Sequence, residues 1–537
     1  MLVEDRAAIG FGDLVTGNGF TLVFKPAVCS ILRLMLPRSE KGEPLPPSDT
    51  VTPGSQASSR VRGLLQDLRA ALRGTSMDYT QGGIGRAILL LAVPMMLEMA
   101  MESTFAVVDI YFVSSLGPSA VATVGLTESV LTLVYAVAIG LSMGTTALVA
   151  RRIGEKNPKE AAESAVQAIL VALAASIPFA IAGAFFAKDI LALMGADSWS
   201  IAHGYRYTAW MLSANAVIML IFVINAIFRG AGDAVIAMRV LWLANGINVI
   251  LDPAFIFGWG PFPALGVQGA AVATSIGRGI GVLMQLYVLF RGAKHIRVLA
   301  SQIQIHAEVM GRLVRTSLGG IGQFIIATSS WIGLVRIVSV FGSEALAGYT
   351  IAVRIFIFTL MPSWGFSNAA ATLIGQNLGA KQPERAERSV WITGIANMTF
   401  LAVVSLVYIF GNEMLIRIFT SDPAVINNGA QCLRIVAYGY MAYAWGMVMP
   451  QAFNGAGDTL TPTKINFFCF WLLEIPLAYL LAISLGKKQT GVYWSIVIAE
   501  TAAGVIAILL FRRGRVETDA GLKHVPPLCS WFVFRVV

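Results

Sequence analysis

At 537 residues, 56% hydrophobic and only 13% charged, the chain is far too apolar for a soluble domain, and its mean hydropathy is +0.71. Its net charge of +9 would suggest nucleic acid in a soluble protein. Here the basic residues fall in short breaks between apolar runs, where they set membrane topology, so nucleic acid is not implied. Four scattered cysteines, Cys29, Cys432, Cys469 and Cys529, have neither metal-type nor disulfide-type spacing and suggest no redox chemistry.

Residues 1–82 mix a Pro/Ser/Gly run, GEPLPPSDTVTPGSQASS, with a basic amphipathic piece, SRVRGLLQDLRAALRG. The first reads as a flexible extension and the second as a segment resting on the membrane surface. Lys25, Pro26 and Arg33 interrupt the apolar patch near Phe20 to Leu36, so it is no signal peptide.

Twelve apolar runs follow, and they predict transmembrane helices at 87–116, 120–150, 165–187, 205–228, 236–258, 266–290, 313–341, 346–375, 388–410, 424–453, 463–485 and 491–511. Every second break is basic: Arg151, Arg152, Lys156 and Lys159 after the second run, for example, and Lys381, Arg385 and Arg388 after the eighth. The breaks at 117–119, 259–265 and 342–345 carry only Glu344. By the positive-inside rule both termini are cytoplasmic, in a multi-pass protein of the inner cell membrane.

The chain also repeats. FRGAGDA (228–234) recurs as FNGAGDT (453–459), and YFVSSLGPSAVA (111–122) as RIVSVFGSEALA (336–347), both 225 residues apart. A third pair, RRIGEKNPKEAAESA (151–165) and TLIGQNLGAKQPERAERS (372–389), aligns on Ile-Gly at an offset of 221. Six helices per copy is even, so both copies enter the membrane in the same sense. The predicted fold is an all-α polytopic membrane protein, with twelve transmembrane helices in two six-helix bundles related by a pseudo-twofold axis along the membrane normal. The lobes are expected at 83–290 and 313–512, joined by a cytoplasmic linker at 291–312 and followed by a cytoplasmic tail at 513–537. A cleft between two such bundles is an alternating-access architecture.

The first predicted span carries Glu98, Glu102 and Asp109, which fall within about 40° of one another on a helix. A carboxylate at bilayer depth costs roughly 2.5–3.5 kcal/mol on insertion scales, so this stripe must face protein or a wet cavity. The alternative for Glu98 and Glu102 is neutralisation of buried arginines. Glu128 lies in the second span. The fifth places Asn245, Asn248 and Asp252 on one face, with Pro253 removing a backbone donor beside the acid. Thr274 and Arg278 follow one turn apart in the sixth. Carboxylate, amide and hydroxyl oxygens suit a small hard cation, and the same carboxylates could carry a proton. For the two asparagines, interhelical hydrogen bonding is the structural alternative. The second half instead has Arg336 and Arg354, with Leu334 at the repeat position of Asp109. Its acids Glu474 and Glu500 are expected to pair with those arginines. Flexible methionines such as Met95, Met96, Met99 and Met211 add weak support for an adaptable ligand surface.

The order LAVPMMLE, VVDIYFVSSLG, IGEKNPKEAA, the doubled F-x-GAGD and ILDPAFIFG with GVQGAAVAT resembles the multidrug and toxic compound extrusion family over residues 77–513, and within it the DinF-like bacterial branch. The resemblance implies a first-lobe coupling-ion pocket at Asp109, Asn248, Asp252 and Thr274, holding H⁺ or Na⁺. Glu98 and Glu102 lie outside that pattern, and the acids that other branches place in spans seven and ten are absent. The expected function is an ion-coupled antiporter exporting amphipathic, cationic compounds by alternating access, and not an enzyme. Glu98, Glu102, Glu128, Asn245 and Arg278 are accessory candidates for substrate attraction or proton relay. No cofactor beyond the coupling ion is expected, and a monomer suffices because one chain contains its own cleft. The rival transporter reading is a lipid-linked saccharide flippase, which needs Arg278, Arg336 and Arg354 to converge on a pyrophosphate. A membrane enzyme has no support, because His203, His295, His306 and His524 fall in or near loops or the tail.

Overall fold

The computed structural model describes residues 63–513 apart from Leu64, Ser76 and Lys294; the remainder of the extension and the tail lie outside the described residues. Long helices dominate, and twelve of them stand as the membrane-crossing set among the described residues. The first lobe contains α1 (Ile84–Ser114), α2 (Pro118–Gly154), α3 (Pro158–Leu193), α4 (Ser200–Ala231), α5 (Ala234–Phe257) and α6 (Val267–Arg291). The second contains α7 (Ala307–Phe341), α8 (Ser343–Gly379), α9 (Pro383–Arg417), α10 (Pro423–Ala456), α11 (Leu460–Ser484) and α12 (Lys488–Arg512). All but α10 are apolar enough to cross a bilayer on composition alone. The 34-residue α10 tolerates its polar side chains because it packs among α8, α9 and α12, and Asn454 exchanges hydrogen bonds with Gln323 of α7.

Several helices extend beyond the apolar runs that announce them. Pro158 and Pro383 begin α3 and α9 five or more residues ahead of the predicted starts. Proline at the first helical position lacks only an N–H that has no partner there. Asn157 caps α3 by accepting from the Glu160 N–H, and Asp422 caps α10 by accepting from Ala424 and Val425. These polar turns project past the bilayer, where hydropathy cannot register them.

Backbone conformation corrects the register of the third repeat. Lys156 and Lys381 both have φ of +58° and close matching helix ends. Asn157 N–H donates to the Arg152 carbonyl and Gln382 N–H to that of Asn377. The offset is therefore 225, as for the other repeats, and not the 221 expected from Ile-Gly. Ile374-Gly375 imitates the motif four residues early, while Gly379 is the true partner of Gly154. A Cβ at Gly154 would run into the Gln376 carbonyl, and one at Gly379 into that of Arg151. The same reciprocity joins the lobes deeper in. A Cβ at Gly140 would stand 2.6 Å from the Ile321 nitrogen, and one at Gly365 would stand 2.6 Å from that of Met96. Thus α2 packs on α7 and α1 on α8 through equivalent close approaches, as a twofold axis requires, and small residues make them possible.

The doubled F-x-GAGD is explained residue by residue. Phe228 and Phe453 are fully buried, and their carbonyls accept from the N–H of Asp233 and Asp458. Gly232 and Gly457 adopt φ of +91° and +95° as left-handed helix caps. Gly230 and Gly455 let α4 and α10 approach the carbonyls of Thr146 and Ala371.

The amphipathic piece is helical over 65–73. Arg239 of α5 donates to the carbonyls of Leu72 and Arg73, and Arg86 of α1 pairs with Asp67 at 2.9 Å. This segment is thus fastened to the basic end of the bundle as well as amphipathic.

Candidate functional site

Three acids line α1, and the structure gives them different surroundings. Glu98 is buried and pairs with Arg229 of α4 at 2.8 Å. Asn225 donates to the same carboxylate oxygen at 3.0 Å, and Gln285 of α6 donates to Asn225. Glu102, one turn on, pairs with Arg278 of α6 at 2.9 Å and accepts from Asn245 at 3.3 Å. Arg278 also donates to the Tyr135 hydroxyl and lies over the Phe105 ring. Each glutamate therefore has a buried arginine as counter-ion, the structural alternative weighed in the sequence.

Among the described residues Asp109 and Asp252 have no such partner. They lie at similar depth, each five residues before the end of its helix, Ser114 in α1 and Phe257 in α5, and Asp109 lies within electrostatic range of Asp252. Asp252 is completely buried with the Asn248 side chain acting on it, and among the described residues neither of its carboxylate oxygens has a partner within hydrogen-bond distance; the buried Oδ1 of Asp109 is likewise unpartnered there. Beside them Asn248 donates to the Thr274 hydroxyl at 2.9 Å, and the Asn248 Oδ1 has no partner among the described residues. Arg278 is the nearby positive charge, acting on Asp109 from beside Glu102. Asp109, Asp252 and Glu102 against one arginine leave a net charge of about −2 if all ionise. Burial of that excess is untenable in a low-dielectric interior unless a cation or proton enters. The oxygens left over, two carboxylates and an amide beside a hydroxyl, suit either one.

The buried Tyr207 of α4 escaped the sequence reading. It stands within electrostatic range of Asp109, Glu128 and Asp252. Its only signal was a polar-tipped aromatic ring near the same end of the bundle. Asn225 and Gln285, both buried, were missed because single amides in apolar runs carry no pattern of their own.

In the second lobe, two expectations fail. Among the described residues neither Glu474 nor Glu500 pairs with an arginine: Ser330 of α7 donates to Glu474 at 2.8 Å, while Glu500 lies over α10 at Gly446. The arginines are elsewhere: Arg336 and Arg354 are both exposed, and Arg354 acts on Glu128 of the first lobe. Nor do the three arginines converge as a pyrophosphate clamp would require, since Arg278 is buried and occupied by Glu102 and Tyr135. The flippase reading loses its support.

The lobes separate towards the end with few charges. Helix faces that touch across the axis at Gly140–Gly154 and Gly365–Gly379 continue as exposed residues further along. Gly125, Ser129 and Leu133 of α2 are matched by Thr350, Arg354 and Phe358 of α8, 225 residues on. The cleft is thus closed at the basic end and open at the other, with exposed Glu128 beside one wall and Arg354 on the opposite one.

Comparison with known proteins agrees with this architecture. A family profile described as MatE matches residues 94–254 and 321–480, once in each lobe. The chain belongs to the MatE family. A MatE protein is a membrane transporter and not an enzyme, in accord with the sequence reading. The chain is 27% identical over 441 residues to "Probable multidrug resistance protein NorM" of Thermotoga maritima, covering 82% of this chain and 95% of the relative. It is 25% identical over 430 residues to the "FAD transporter" of Shewanella oneidensis, covering 80% and 95%. A solved structure described as the "Outward-facing conformation of a multidrug resistance MATE family transporter of the MOP superfamily" superposes with a TM-score of 0.77 at 25% identity, over 83% of this chain and 98% of that one.

Proposed function

We propose that this MatE protein is a multidrug exporter that couples the outward passage of amphipathic, cationic compounds to inward movement of H⁺ or Na⁺ through Asp109 and Asp252. The observation that carries the reading is the fully buried Asp252 carboxylate, which has no ion-pair or close hydrogen-bond partner among the described residues and lies beside a second aspartate. Asn248 and Thr274 act as neutral ligands or hydrogen-bond partners, and no other cofactor is required. The protein works as a monomer in the inner cell membrane, with its basic loops and both termini in the cytoplasm. The open end of the cleft then faces outward.

The ion enters from outside, neutralises the aspartates and favours the conformation that releases substrate. Its loss to the cytoplasm resets the cleft. Coupling works only if the ion binds one conformation more tightly than the other. Glu98 and Glu102 serve in this scheme as counter-ions that hold Arg229 and Arg278, while Glu128 draws cations into the cleft. The names of the relatives point to drugs in one case and to a flavin nucleotide in another, so the assay includes both.

The test uses purified protein in vesicles, with an H⁺ or a Na⁺ gradient imposed separately and either a cationic drug or flavin adenine dinucleotide as cargo. One gradient is expected to drive drug movement, and Asp252→Asn to abolish it while the protein still inserts and folds. Full gradient-driven transport by Asp252→Asn, or transport of the dinucleotide alone, would overturn the proposal.

A further inference from the structure

The second lobe contains its own pair of buried acids, on the helices that correspond by repeat to α5 and α6. Glu474 of α11 is 3% exposed and Glu500 of α12 is 8% exposed, and they lie within electrostatic range of each other. In each lobe the fifth helix follows an acid with a proline, Asp252-Pro253 in the first and Glu474-Ile475-Pro476 in the second. Helix α11 is also wound as a π-helix over Phe467–Glu474, so the acid ends a stretch of unusual backbone of a kind frequent at functional sites.

We propose that Glu474 and Glu500 form a second cation site, in the C-terminal lobe, that holds one exchangeable proton. The groups around the pair come from four helices: Ser330 of α7, Tyr349 of α8, Tyr443 of α10 and Cys469 of α11. None is basic, and neither acid makes an ion pair among the described residues. Two carboxylates buried in this setting cannot both be charged, so the pair requires a positive particle. A second, independent feature points the same way. The Tyr349 hydroxyl is fully buried, has no hydrogen-bond partner among the described residues and lies within electrostatic range of Glu474; that of Tyr493, whose ring stacks on it, is likewise unpartnered there. Two acids, hydroxyls and no third carboxylate or histidine make a thin cage for a metal ion, but are enough to share a proton.

This deepens the ion-coupled reading and rests on it for its role in transport, while its test does not. Infrared difference spectra across a pH jump, recorded on the full-length protein in lipid, report protonated carboxylic acids through a C=O stretch that shifts in D₂O. A band lost in Glu474→Gln or Glu500→Gln but kept in Asp252→Asn is expected, together with one fewer proton taken up per chain. Tyr443→Phe, which leaves both acids in place, is expected to move the band without removing it, so the readout does not depend on the glutamine variants folding perfectly. A band unchanged in both glutamine variants, one that never shifts in D₂O, or one removed by Na⁺ at constant pH would overturn the assignment. Loss of drug transport in Asp252→Asn with this band intact would separate the two sites.

Discussion

Glu98 of α1 and Arg229 of α4 meet at 2.8 Å with both side chains almost wholly buried. Removing one partner leaves an uncompensated charge in the bundle, a change that costs about 3–5 kcal/mol. Glu98→Gln is therefore expected to lower the thermal unfolding temperature in detergent sharply. The double variant Glu98→Leu with Arg229→Met is expected to recover most of the loss. A double variant as unstable as the sum of its single changes would mean that the pair does not act as a unit.

The reciprocal glycines at the basic end supply a conformational prediction. Valine at Gly154 or Gly379 would press a side chain into the opposing carbonyl, so the closed contact is disfavoured. Faster labelling of a single cysteine placed at Ala147, on the α2 face against α8, is expected, with transport at least tenfold slower. Unchanged labelling would show that the close approach is not needed.

A strap before α1 ties the two lobes at that same end. Asp78 accepts from Lys156 at 2.6 Å, the Tyr79 hydroxyl donates to the Gly232 carbonyl, and Arg385 of α9 donates to the carbonyls of Tyr79, Gln81 and Gly82. Opening the basic end must break one set of these bonds. Arg385→Ala is expected to raise the population of the open form severalfold, measured as a spin-label distance distribution between α3 and α9.

The strap is also expected to respond to pH. Partial burial works to raise the Asp78 carboxyl, but hydrogen bonds from Lys156 and Thr80 outweigh it and hold the group below its ordinary range. A lowered folded value means that the stabilisation is present above the ordinary carboxylate range and is lost as pH falls through the lowered one. The protection of residues 77–83 against hydrogen exchange, corrected for the intrinsic rate at each pH, should therefore fall on acidification, and Asp78→Asn should be equally unprotected at neutral pH. A pH-independent protection factor in the wild type would count against the bond.

Cargo selection is expected to respond to Glu128, exposed in the cleft and acted on by Arg354. Glu128→Gln should reduce the apparent affinity for a monocationic drug about tenfold, equivalent to roughly 1.4 kcal/mol, and leave a neutral analogue unaffected. Equal losses for both cargoes would remove charge attraction as its role.

Twelve helices, their pairing into two copies and the acids at membrane depth were legible in the sequence because each depends on local patterns: apolar length, charge in the breaks and a repeated turn motif. The twofold partnership of α1 with α8 and α2 with α7 followed only indirectly from the 225-residue offset. One Ile-Gly, repeated by chance four residues too early, was enough to misplace the third repeat until the left-handed Lys156 and Lys381 showed the true register. Glu98, Glu102, Asp109 and Asp252 are alike as letters in a helix. What distinguishes them is which helix stands opposite.

Sequence alone determined that this chain crosses a membrane in two like halves and that its early helices carry acids which cannot face lipid, because the cost of exposing a charge to hydrocarbon follows from its depth along its own helix. Tertiary structure decided which acids have a counter-ion. Arg229 and Arg278 reach Glu98 and Glu102 from helices more than a hundred residues away, while Asp109, Asp252, Glu474 and Glu500 form no ion pair among the described residues. Ion pairing is a matter of a few ångströms between different elements, and helical spacing does not encode it.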